Sequence, residues 1–93
     1  MREFHLTRKI LAMIHVEHPT AWAYKTVGGP YARRGVPDIL ACIGGRFFAF
    51  EVKLPGGKAT ALQRAELALI YGAGGGAYVV TSVAEVRALI ARA

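Results

Sequence analysis

Apolar positions divide the chain into segments of two different periods. From Phe4 to Val16, the residues Phe4, Leu6, Ile10, Leu11, Met13 and Ile14 fall mostly at helical spacing, which predicts a first helix over that stretch. His18-Pro19 closes it, since the residue before a proline is pushed out of the helical region. Ala21 to Val27 reads as a strand and "GGPYARRG" as a flexible, basic connection. Two apolar, β-branched and aromatic runs follow, Val36 to Ile43 and Arg46 to Leu54, separated only by Gly44-Gly45. That pattern predicts a hairpin, because two glycines supply the positive φ angles of a two-residue turn. "LPGGKAT" is a loop. Thr60 opens "TALQ", a capping box starting a helix that runs to about Tyr71, and "GAGGG" stops it. "AYVVT" reads as a short buried strand. "SVAE" is a second capping box, starting a last helix from Val83 to about Arg92. The order α-β-β-β-α-β-α predicts an α/β fold, a mixed central sheet flanked by helices. With no repeat and no linker, residues 1–93 form a single domain.

The hairpin has a chemical consequence. With Gly44 and Gly45 as its turn, Ile43 faces Arg46 and Cys42 faces Phe47, and the count outward sets Asp38 opposite Glu51. Their Cα atoms should lie about 4.5–5.5 Å apart on one face, and Lys53 points to that face too. A bulge would offset this register by one residue. Two ionised carboxylates about 5 Å apart repel by roughly 3 kcal/mol at an effective dielectric near 20, which a proton or a cation between them relieves. Paired hard oxygens suit Mg²⁺, and an ammonium beside them suits phosphodiester cleavage. The other reading makes Asp38 a strand-start cap after Pro37 and Glu51–Lys53 a surface pair. Apolar neighbours on both strand faces (Ile39, Leu40, Phe48, Ala49, Phe50) favour a covered hairpin and hence the metal site.

Composition narrows the partners. The net charge is +6 with a pI near 10.0, which points to a polyanion such as nucleic acid or an anionic membrane surface. No apolar run reaches the roughly 18 residues of a membrane span, and the N-terminus lacks the apolar core of a signal peptide. The one cysteine, Cys42, excludes an internal disulfide and cysteine-held zinc, which fits a reducing cytoplasm. "LPGGKAT" fails as a phosphate-binding loop, because Val52 and Ala59 stand where that motif needs glycine and serine or threonine. "GAGGG" follows a helix and precedes a strand, the wrong order for a dinucleotide turn. His15 and His18 read as surface residues. Lys25, Arg33, Arg34 and Lys58 lie beside the acid-bearing strands, where they would hold DNA phosphates. Among the aromatics, Trp22, Tyr24 and Tyr31 are candidates to stack on exposed bases, with core packing the favoured reading for Trp22.

"RGVPD", then a hairpin, then "EVK", then "TALQ" at the head of a helix together resemble the VRR-NUC group of the PD-(D/E)XK nuclease superfamily, over nearly the whole chain. The resemblance implies a restriction-endonuclease-like core and a Mg²⁺- or Mn²⁺-dependent DNA endonuclease. By position, Asp38 and Glu51 resemble the metal-binding acids, the carbonyl of Val52 a further ligand, and Lys53 the catalytic lysine. Glu3 resembles the family's N-terminal acid near the metal, and Gln63 the helix glutamine that supports the site, although a capping box already gives Gln63 a structural task. Small stand-alone, phage-type members of the group imply a homodimer that cuts branched DNA such as four-way (Holliday) junctions. Interface material would come from the first helix, apolar on more than one face, and from "AYVV" as a sheet edge. The alternatives are a nucleic-acid-binding module without turnover and a phage-encoded interaction protein.

Overall fold

In the computed structural model, which describes residues 1–93, the elements follow the expected order. They are α1 (Glu3–Glu17), β1 (Trp22–Lys25), β2 (Ile39–Ile43), β3 (Arg46–Val52), α2 (Ala61–Gly72), β4 (Gly76–Val80) and α3 (Val83–Arg92). The sheet is mixed, with strands in the order β1-β2-β3-β4; β1 to β3 run antiparallel, and α2 carries the chain across to a parallel β4. Gly44 and Gly45 form the hairpin turn at φ 58° and 81°, the left-handed pair that only glycine adopts freely, so no bulge enters and Ile43 pairs Arg46 as expected.

Alternation along the strands sorts the side chains onto two faces. Ile39, Ala41 and Ile43 of β2 and Phe48, Phe50 and Val52 of β3 point one way, into a core with Leu6, Ile10, Met13 and Ile14 of α1 and Val86 and Ile90 of α3. Arg87 of α3 clamps Glu17 of α1 through three hydrogen bonds of 2.8–3.1 Å. On the opposite face, Phe47, Ala49 and Glu51 of β3 lie on the side of α2, which packs mainly against β4 and β3. The β1–β2 half of that face has no helix over it.

That half-cover corrects two expectations. Trp22 is 56% exposed rather than in the core, because it lies on edge strand β1 on the uncovered face. The strand at "AYVV" is an edge, as anticipated, but only Val80 is fully buried, since one side of β4 has no neighbouring strand. The first helix also spends most of its apolar residues on the core; Phe4 and Val16 are the large ones left exposed. At the two predicted boxes, Thr60 and Gln63 cap α2 reciprocally. At α3, Ser82 accepts from the Glu85 N–H, but Glu85 reaches back to the N–H of Thr81, one residue beyond the box.

Candidate active site

The ladder between β2 and β3 ends at Ile39 and Phe50, one step inside Asp38 and Glu51. Asp38 itself lies in a bend, just before the strand. Pro37, which lacks an N–H, and Gly35, at φ 79°, keep "RGVPD" out of the sheet. The bend is pinned to the end of β1: the Thr26 N–H donates to the Asp38 carbonyl (2.9 Å) and the Thr26 hydroxyl to that of Pro37 (2.8 Å). From there Asp38 Oδ2 accepts the N–H of Val52 at 2.8 Å, which fixes the carboxylate across the strand end.

Glu51 lies on β3, one of the two inner strands, and its side chain is 3% exposed. Oε2 accepts from the side-chain amide of Gln63 at 3.1 Å and lies 3.7 Å from Lys53 Nζ. Oε1 is buried and has no hydrogen-bond partner. Burial raises the Glu51 pKa most, followed by the nearby charge of Asp38; Lys53 pulls the other way, and the carboxyl ends pushed up to about 8. A buried carboxylate oxygen without a donor is a place for a proton or a cation.

Gln63 makes hydrogen bonds to both the helix start and Glu51. Its Oε1 accepts from the Thr60 N–H at 2.8 Å, closing the capping box, which turns Nε2 toward Glu51. The two bonds together assign the amide's orientation. Gly35 sets the distance between this helix start and the Asp38 bend, because a Cβ there would lie 2.6 Å from the Leu62 carbonyl oxygen. Arg33 bonds the carboxylate of Glu66 on α2 through Nε (3.0 Å) and Nη2 (2.8 Å), holding the same loop to the same helix.

Asp38, Glu51, Val52, Lys53 and Gln63 thus converge. Beside them opens a cleft of about 520 Å³ lined by Tyr24, Lys25, Thr26, Arg33, Arg34 and Asp38, among others. Of the four cations assigned to phosphates, Lys25 and Arg34 line it freely, Arg33 lines it while paired to Glu66, and Lys58 stands apart in the exposed "PGGK" loop. Glu3 sits in the exposed first turn of α1, and nowhere does the chain gather three or more His, Cys, Asp or Glu side chains into a group able to hold a metal. Sequence reasoning missed the Arg33–Glu66 clamp, for which no local signal exists, and the docking task of Gly35, which stood inside the quoted motif without a reason attached.

No protein-family model and no curated protein matches the chain. Its fold does match solved structures. One described as a VRR_NUC domain superposes with a TM-score of 0.76 at 24% identity, over 95% of this chain and 92% of that one. A second, a VRR_NUC domain protein, gives 0.79 at 14% identity over 99% and 87%. Hjc, a Holliday junction resolvase of Archaeoglobus fulgidus, gives 0.65 at 24% identity over 85% and 67%. At these identities the likeness establishes the fold: the chain has the restriction-endonuclease-like architecture of VRR_NUC domains.

Proposed function

We propose that this chain is a VRR-NUC nuclease of the PD-(D/E)XK superfamily, a divalent-metal-dependent endonuclease hydrolysing DNA phosphodiester bonds. One observation carries the reading: the Asp38–Glu51 pair, with Glu51 Oε1 buried and unpartnered, opens beside Lys53 at the edge of a cationic cleft. The donor set fits Mg²⁺ or Mn²⁺. Asp38, Glu51 and the Val52 carbonyl would hold the ion as hard oxygen ligands. When bound, the cation screens the charge that builds on the phosphoryl oxygens. Lys53, held within 3.7 Å of Glu51, places a second positive charge beside the same phosphate. Gln63 fixes the rotamer of Glu51 and so its free oxygen. Lys25 and Arg34 take flanking phosphates, which position the strand without reading its sequence.

Branched DNA is the proposed substrate, with the Hjc resolvase as the structural neighbour that supports it. A four-way junction needs two cuts related by a two-fold axis, and two copies of this one site in a C₂ homodimer meet that need. The test is cleavage of a panel of linear, flapped and four-way DNAs with and without Mg²⁺ or Mn²⁺, with light scattering on the same preparation. Cutting that requires the metal, prefers branched forms and is lost in Asp38→Asn and Glu51→Gln supports the reading. Parental cutting by the double variant would refute the site, and a monomer mass with and without junction DNA would refute the junction-resolving dimer.

A further inference from the structure

We propose that Trp22 and Tyr24 form a stacking platform for unpaired bases, so that the enzyme engages a single-stranded segment beside the bond it cuts. The inference rests on the nuclease reading for the identity of the polymer. It goes further in naming the feature of that polymer which is recognised.

The two rings stand side by side on β1, centroids 5.9 Å apart and planes within 13° of parallel. They remain 56% and 48% exposed, on the half of the sheet that α2 does not reach. Their cross-strand neighbours, Cys42 and Leu40, are too small to enclose them. Large parallel rings open to water on an edge strand are costly unless something covers them. Their surroundings say what does. Tyr24 lines the same cleft as Lys25, Arg34 and Asp38, and neither Lys25 nor Arg34 takes part in any of the protein's ion pairs. A ligand matching both the rings and the cations must carry planar apolar faces and negative charge at close spacing. A nucleotide chain does so. In a duplex the base faces are consumed by their own stack, so only a flap, a splayed arm or an opened branch point presents them. The platform therefore discriminates structure rather than sequence, since every base has such a face.

The chain contains one tryptophan, so Trp22 reports on its own contacts. In EDTA, the intact protein is titrated with a blunt duplex and with the same duplex bearing a short oligothymidine tail, following tryptophan emission and fluorescence anisotropy of labelled DNA. Quenching by the tailed DNA alone is the expected result. Trp22→Ala should then bind tailed DNA between about five- and 150-fold more weakly, the range of one lost base stack, and bind blunt duplex as before. Tailed DNA that binds without quenching, or equal losses on both DNAs, would overturn the platform. So would a free protein that scatters as a dimer with Trp22 already shielded from acrylamide, because a second copy would then be the cover. Quenching without cleavage in any divalent metal upholds the platform and removes the nuclease reading; cleavage without quenching does the reverse.

Discussion

Glu51→Gln should stabilise the metal-free protein at alkaline pH while abolishing its cutting. In the folded state the Glu51 carboxyl is pushed up to about 8, against 4.5 for an ordinary glutamate, chiefly by burial and then by Asp38. Between those values the folded chain holds a proton that the unfolded chain has released. Stability must then fall as pH rises from about 4.5 to about 8, and level off above. Each pH unit of that interval is worth about 1.4 kcal/mol, so the ceiling on the loss is about 5 kcal/mol. A domain of this size has only about 5–14 kcal/mol in total, so the loss is large enough to read directly. The introduced amide escapes the cost of ionisation, and its carbonyl can still accept from Gln63. The assay is urea denaturation of both proteins in EDTA at a series of pH values, using their difference so that contributions common to both cancel. That difference should be near zero at about pH 4, grow through neutrality, plateau above about pH 8, and shrink when Mg²⁺ is added to the parent. A difference that stays flat across the series would refute the buried-carboxylate argument.

Asp38→Ala should cost about 1–3 kcal/mol because it strips the buried Val52 N–H of its acceptor, whereas Asp38→Asn should keep most of that stability and still lose cleavage. Gly35→Ala should destabilise by about 1–3 kcal/mol, since φ 79° is strained for alanine and the new methyl would meet Leu62; denaturation and cleavage rate should fall together. In binding to duplex DNA, Lys25→Ala and Arg34→Ala should each flatten the log–log salt slope by about 0.9, and Arg33→Ala by less, because Glu66 already neutralises it. An affinity indifferent to ionic strength would argue against phosphate contacts in the cleft.

Much of this was legible in the chain for local reasons. Two adjacent glycines dictate a tight left-handed turn, and the turn dictates the pairing that brings Asp38 to Glu51. Thr60 and Gln63 announce a helix start by their spacing. The remainder depends on cover and on distance. Nothing in "AWAYK" says that α2 will lean over β3 and β4 and leave β1 bare, so a tryptophan in an apolar strand reads as core. Arg33 and Glu66 meet across the fold with no shared periodicity. Glu3 was assigned by resemblance alone, and at the head of a helix that turns its apolar side to the core it stays in solvent. The two roles of Gln63 looked exclusive only while the amide was treated as one group; its oxygen and nitrogen face different partners.

The shared amide of Gln63 also ties the proposed site to the docking of α2. Its oxygen holds the first turn of α2 and its nitrogen holds Glu51, while Asp38 arrives by a loop that Gly35 docks on that same turn. A chain that has formed the hairpin but not yet docked α2 has both carboxylates and no assembled site. The parallel pairing of β3 with β4, which α2 must bridge, is the kind of non-local contact that forms slowly. On the proposed nuclease reading, a copy in which α2 is not docked lacks an assembled site and should not cut DNA.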